Sequence, residues 1–203
     1  MNIITKLRQR ITKLRQKIKS NQQQGRAFET MIRASLKRLS EDPNNKLWFT
    51  RLYDYRSFIR LNPMLKAIKQ PGDFLVCYCG RFCVIECKSS QANRFNPENV
   101  RPNQVESMKE IYNSGGKYWL LILHRGESKN KHELFAYNYM QWLRLLVEIK
   151  RSSFKTASWK DVATFATLQL TKERGVWDLV PLFTEHDTRE QTHPDYHETH
   201  EEM

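Results

Sequence analysis

The stretch Gln70 to Ser89, QPGDFLVCYCGRFCVIECKS, admits few structures. Phe74 to Cys79 is a run of apolar and β-favouring residues, Gly80 and Arg81 mark a turn, and Phe82 to Lys88 is a second run. An antiparallel hairpin is expected. Alternation with a period of two puts Glu86 and Lys88 on one face. Asp73, at the mouth of the first strand after a Pro-Gly bend, folds back beside them. Two carboxylates held together on rigid backbone repel each other, and one ammonium does not neutralise both. Carboxylates with open water positions suit Mg²⁺ or Mn²⁺, hard ions that keep several waters and take phosphate oxygens. Such a centre hydrolyses phosphodiesters, with Lys88 orienting the attacking water or neutralising developing charge.

Glu-x-Lys by itself is ordinary, because opposite charges alternate on the solvent face of many strands. Here Cys83, Val84, Ile85 and Cys87 make the strand largely apolar. Burial on both faces follows, and an unpaired Glu and Lys would be costly there.

The hairpin resembles the core of the PD-(D/E)XK nucleases, with Pro71-Gly72-Asp73 standing for the family's Pro-Asp and Glu86-Cys87-Lys88 for its Glu-x-Lys. More narrowly it is similar to the RecU and archaeal Hjc type of Holliday-junction resolvase. Gly25-Arg26-Ala27-Phe28-Glu29 is similar to the Gly-x-x-Phe-Glu that opens the first helix of these proteins, and Pro102-Asn103-Gln104 heads a helix where they carry a Gln. The order of elements agrees from about Gly25 to Phe183. The resemblance implies Glu29 as the helical acid, Asp73 and Glu86 as metal ligands, Lys88 as the catalytic lysine and Gln104 as support of the site. The chain departs by one additional Gly between Pro71 and Asp73, and Asp54 to Lys69 is short beside the protruding stalk of RecU-type proteins.

A chain of 203 residues, 39% hydrophobic and 11% aromatic, suffices for one sizeable core with appendages. Its formal charge is +12; Glu185 to Met203 hold seven acids and one Arg, which leaves about +18 on residues 1–184. Nucleic acid suits that surplus better than a membrane surface, since the cations spread along the whole fold and no apolar run is long enough to cross a bilayer. The N-terminus has no signal-peptide apolar core, and a cytoplasmic, intracellular protein is expected. The four cysteines, 77, 79, 83 and 87, lie within the hairpin strands. Structural zinc wants paired Cys at turn knuckles, so reduced, buried cysteines acting as small hydrophobes are expected.

Ile4, Leu7, Ile11, Leu14 and Ile18 form a heptad seam in a segment with seven Lys or Arg and no acid. This reads as a short basic helix, residues 1–24, that packs on its own domain or a partner protomer, follows DNA phosphates, or frays. Asn21 to Gln24 reads as a polar hinge before a helix from Gly25 to Leu39, stopped by Glu41-Asp42-Pro43. Glu29 falls in its first turn and Arg26 beside it. Lys46 to Tyr53 is strand-like. Tyr55 to Lys69 interleaves aromatics with Arg56, Arg60, Lys66 and Lys69, as a DNA-contacting flap needs or as an amphipathic edge element carries. Ser89 to Arg101 is expected as a mobile loop whose Arg94 and Arg101 reach phosphate. Pro102 starts a helix that ends at Gly115-Gly116. Lys117 to His124 is a buried strand and Glu133 to Tyr137 its partner. Helices over Tyr139 to Ile149 and Ser158 to about Thr171, and a closing apolar run over Trp177 to Phe183, complete a nuclease domain of residues 25–184. Residues 185–203 read as a disordered acidic tail; its His186, His193, His197 and His200 have weak metal-ligand spacing, interrupted by Pro194.

The expected fold is α/β, a small mixed sheet flanked by helices, with the site at the mouth of the hairpin. By resemblance the activity is Mg²⁺- or Mn²⁺-dependent resolution of four-way DNA junctions by a homodimer, whose two-fold symmetry matches the two strands to be cut. A restriction-type or repair nuclease on linear duplex is the second reading. A non-catalytic DNA-binding protein that modulates a recombinase partner is the third.

Overall fold

The computed structural model describes residues 3–52, 70–126 and 131–185. The expected mixed sheet flanked by helices is what the chain forms. Six strands lie in the order β1-β2-β3-β5-β6-β8, comprising β1 (Leu47–Arg51), β2 (Phe74–Tyr78), β3 (Arg81–Ser90), β5 (Lys117–Arg125), β6 (His132–Tyr137) and β8 (Leu168–Leu170). Among the described residues only β3 and β5 pair in parallel, Glu86 standing opposite Leu120 and Lys88 opposite Ile122. That parallel step needs a crossover, which the segment carrying α2 (Pro102–Asn113) supplies.

Alternation along the strands sorts the core into two layers. Trp119, Leu121 and Leu123 face α1 (Ile3–Glu41) together with Phe28, Ile32 and Leu36. Tyr118, Leu120 and Ile122 face the other way, into the layer that holds Met108 of α2, Trp142 and Leu145 of α3 (Tyr139–Arg151) and Val162 of α4 (Trp159–Phe165). Trp177, Leu179, Leu182 and Phe183 close the α1 layer, the last two from α5 (Val180–Thr184), so the closing apolar run does what was expected of it.

Three local expectations need correction. No hinge or helix start falls at Asn21–Gly25, because α1 runs unbroken from Ile3 to Glu41 and places Glu29 well inside it. Glutamines are good helix formers, and the roughly 1 kcal/mol cost of one helical Gly is offset by the anchoring of Phe28, Ile32 and Leu36. A Cβ built at Gly25 meets nothing within 4 Å. Gly25→Ala is therefore expected to raise stability by about 0.5–1 kcal/mol, read from the denaturant midpoint.

The helix expected to reach Thr171 ends at Phe165, and Leu168–Leu170 instead extends the sheet, Leu170 opposite Leu134 and Leu168 opposite Ala136. The open edge of β6 outcompetes helical propensity there. The segment Ser89 to Arg101 is ordered rather than a mobile loop. Strand β3 runs on to Ser90, β4 (Arg94–Phe95) pairs with β7 (Ala157–Ser158), and a 3₁₀ turn follows at Pro97–Asn99, capped by the Asn96 side chain. Phe95, fully buried against the rings of Trp142 and Trp159, is the anchor. The small strands β9 (Lys172–Glu173) and β10 (Val176–Trp177) form a separate two-stranded ribbon.

Candidate active site

The hairpin turns one residue earlier than its sequence implies. Cys79 and Gly80 are the two central residues, at φ 49° and 80°, the left-handed pair that matches the twist of the flanking strands. Cys79 is consequently exposed rather than buried, while Cys83 is buried and Cys77 and Cys87 are half-buried. Burial pushes the Cys83 thiol up to about 12. Cys83 and Cys87 belong to the α1 layer, whereas Cys77, next in strand to the inward Val76, faces the opposite way. Four thiols split between two sides of a sheet form no tetrahedral zinc site.

At the other end of the hairpin β2 stops and β3 continues. With Phe74 opposite Ile85, the next position along brings Asp73 beside Glu86. The Asp73 amide donates to the Ile85 carbonyl at 2.8 Å, and its carboxylate accepts from the Cys87 amide at 2.7 Å. The side chain thus replaces a backbone acceptor at the point where the ladder ends. Gly72 permits this close approach. A Cβ there would lie 2.6 Å from Val84 Cγ1 and 2.9 Å from the Ile85 carbonyl oxygen. The additional residue between Pro71 and Asp73 is therefore a glycine for steric reasons. The Tyr118 hydroxyl donates to the Pro71 carbonyl at 2.7 Å and holds the same bend to β5.

Glu86 is only 2% exposed. The Lys88 ammonium lies 2.5 Å from its Oε1, and the Gln104 amide donates to that oxygen at 2.5 Å. Gln104 also accepts from the Arg101 amide at 3.0 Å, which satisfies one of the free donors at the start of α2. One side chain therefore couples the helix start to the buried carboxylate. Burial raises the Glu86 carboxyl, while Lys88, Gln104 and Arg101 oppose it. Burial, and then the Glu86 charge, push Asp73 up to about 7. A half-buried carboxylate whose ionisation the buried Glu86 opposes marks a site short of positive charge.

A divalent cation fits this donor set. Both side chains offer hard oxygens, and among the described residues no three His, Cys, Asp or Glu side chains form a closed metal cage. Two carboxylates with the remaining positions left to water and substrate phosphate is how Mg²⁺ is usually held.

Other candidates stand farther off. Glu29 pairs with Arg51 of β1, and Arg51, opposite Phe74, belongs to the α1 side of the sheet. The Glu29 charge still contributes to raising Asp73. Arg101 is exposed at the start of α2 with its charge felt by Glu86, and Arg26 is exposed on α1. Arg94 is engaged within the fold: its guanidinium donates to the Thr156 hydroxyl at 2.9 Å and carbonyl at 2.7 Å and lies over the Phe154 ring. Arg56, Arg60, Lys66 and Lys69, and the tail histidines, lie outside the described residues. Sequence reasoning missed Arg51, Tyr118 and the role of Gly72, since each depends on strand pairings distant in the chain.

Gln104→Ala removes both the brace on Glu86 and the bond to the Arg101 amide. The expected result is a loss of about 1–3 kcal/mol of stability, read from the denaturant midpoint, with α2 retained by circular dichroism.

A carboxylate pair, a lysine and an amide are thus gathered at the parallel strand of a basic α/β chain. A model of the family described as RecU, recombination protein U, matches residues 55–175, more than half of the chain, and the chain belongs to that family. Among solved structures it is similar to the Holliday junction resolvase Hjc of the archaeal hyperthermophile Archaeoglobus fulgidus, at 11% identity and a TM-score of 0.37, over 58% of this chain and 75% of that one. No curated protein matches. Among the described residues no helix is long and apolar enough to cross a membrane.

Proposed function

We infer that this chain is a divalent-metal-dependent endonuclease that resolves four-way DNA junctions in recombination and repair, as a homodimer that nicks two strands symmetrically. The observation that carries the reading is the meeting of Asp73 and Glu86 at the end of the β2–β3 ladder, with Lys88 and Gln104 bonded to the same Glu86 oxygen. Family membership supports the substrate class.

Asp73 and Glu86 would hold the cation, Mg²⁺ or Mn²⁺. A cation there supplies positive charge to phosphate oxygens and acidifies water at neutral pH. The chain's own groups do the positioning. The Cys87 amide holds the Asp73 carboxylate and Gln104 holds Glu86; Lys88, half-buried beside Glu86, would orient the attacking water or neutralise charge developing on the phosphate. Water attacks phosphorus in line with the leaving 3′ oxygen, that P–O bond breaks, and the ends are a 3′ hydroxyl and a 5′ phosphate. The charge of +12 attracts the phosphate backbone. A junction presents two equivalent strands, which a two-fold dimer meets with one site each.

The test is cleavage of a strand-labelled synthetic four-way junction beside a linear duplex of one arm's sequence, with Mg²⁺ or with chelator. Paired nicks confined to the junction and lost in chelator are expected. Equal cutting of both DNAs would make the protein a general nuclease, and tight junction binding without cutting would favour the non-catalytic reading.

A further inference from the structure

The bonds made by Asp73 itself run to the neighbouring strands. Its amide donates to the Ile85 carbonyl, its carbonyl accepts from the Leu52 amide at 2.8 Å, and its carboxylate accepts from the Cys87 amide. These contacts with β3 and with the end of β1 fix where Asp73 stands along the ladder. They do little to stop the bend ahead of it from lifting off the sheet. Gly72 adds no resistance, because a residue without Cβ turns freely. Pro71, whose ring fixes φ, would swing about it as a rigid unit.

Among the described residues one bond reaches the bend from beyond β3. Tyr118 stands on β5 opposite Val84, and both side chains belong to the second layer of the core. The bend lies on Val84, as the crowding around Gly72 shows. From beside Val84 the Tyr118 side chain therefore reaches across β3, and its hydroxyl donates to the Pro71 carbonyl at 2.7 Å. Tyr118 is buried among core side chains, so the donor itself is held. Burial, and then the charges of Glu86 and Asp73, push its phenol up and keep it protonated. With Pro71 pinned to β5 and Asp73 to β3, Gly72 spans two fixed points.

We propose that Tyr118 is a positioning residue for the metal centre, acting through Pro71 and Gly72 to hold the Asp73 carboxylate where it can share one divalent cation with Glu86. The inference rests on the reading of Asp73 and Glu86 as metal ligands. Tyr137 supplies the comparison within the same layer: it is fully buried, and its hydroxyl donates to the Val162 carbonyl of α4 instead of to the bend.

Tyr118→Phe keeps the ring and removes only the hydroxyl, and Tyr137→Phe does the same to the comparison residue. Both are prepared in the full chain beside wild type, and both are expected to melt cooperatively a few degrees lower, each having lost one core hydrogen bond. Amide exchange in chelator reads the bend without metal. Tyr118→Phe should exchange several-fold faster at Asp73 and Leu52, and Tyr137→Phe should match wild type there. Mn²⁺ titration followed by electron paramagnetic resonance should show roughly tenfold weaker binding in Tyr118→Phe, the lower end of what partners behind metal ligands contribute, and wild-type binding in Tyr137→Phe. Unchanged exchange at Asp73, or unchanged Mn²⁺ affinity in Tyr118→Phe while wild type binds the ion, would overturn the positioning role and leave the metal reading standing. Equal weakening in Tyr137→Phe would reduce the effect to a general loosening of the core and overturn it as well. A wild type that binds no Mn²⁺, or whose binding survives Asp73→Asn, would overturn the metal reading and the proposal with it.

Discussion

Asp73→Asn is expected to lower Mg²⁺-dependent cleavage by at least about 10³-fold while making the metal-free protein more stable. Both effects come from one carboxylate. Asn keeps an oxygen for the Cys87 amide, so the end of the β2–β3 ladder survives. What disappears is a half-buried negative charge beside Glu86. The folded-state value for Asp73 is about 7 against 3.8 for a free side chain. The fold therefore favours the protonated acid: its stabilising effect is complete below about pH 4 and is lost as pH rises through about 7. In chelator, the wild-type melting temperature should decline across that window and the variant's should decline less. Relief of 1–2 kcal/mol at pH 8 corresponds to roughly 2–8 °C. Mg²⁺ should restore the wild type and leave the variant nearly unchanged. A variant that cleaves normally, or that is less stable than wild type in chelator at pH 8, would contradict this assignment.

Gly72→Ala is the second large effect, and it is steric. The added methyl would sit 2.6 Å from Val84 Cγ1 and 2.9 Å from the Ile85 carbonyl oxygen. Val84 can shift, but the carbonyl belongs to the central strand and already accepts from the Asp73 amide at 2.8 Å. The bend must lift away from β3, at a cost of about 1–3 kcal/mol, and the Asp73 carboxylate moves with it. A displacement near 1 Å is enough to reduce turnover on the order of 100-fold. Urea denaturation and single-turnover cleavage measured together should show both losses. The contrast with Gly25→Ala, where the space is open, separates crowding from a general intolerance of glycine replacement.

The grouping of the candidate residues was legible in the sequence because most of it is local. Phe74 to Lys88 is a hairpin with a period of two, which put Glu86 and Lys88 on one face without knowledge of any neighbour, and Pro102 placed Gln104 in the first turn of α2, where the structure finds it bonded to Glu86. What escaped depends on packing across the chain. Arg51 meets Glu29 only once β1 is paired with β2 and α1 is laid over them. The segment Ser89 to Arg101 is polar enough to pass for a loop, yet Phe95 and Val100, both buried, give it enough apolar surface to order. Leu168 and Leu170 fit a helical stripe as well as an alternating strand, and the vacant edge of β6 decided between them. The hinge expected at Asn21–Gln24 was inferred from polarity, whereas polarity on the outer face of a continuous helix is ordinary.

The most direct test of the proposed metal centre is anomalous scattering from crystals soaked in Mn²⁺, wild type beside Asp73→Asn. The account predicts a single strong peak per chain between the Asp73 and Glu86 carboxylates, lost in the variant. A peak elsewhere, or none between these carboxylates with both ionised, would contradict it.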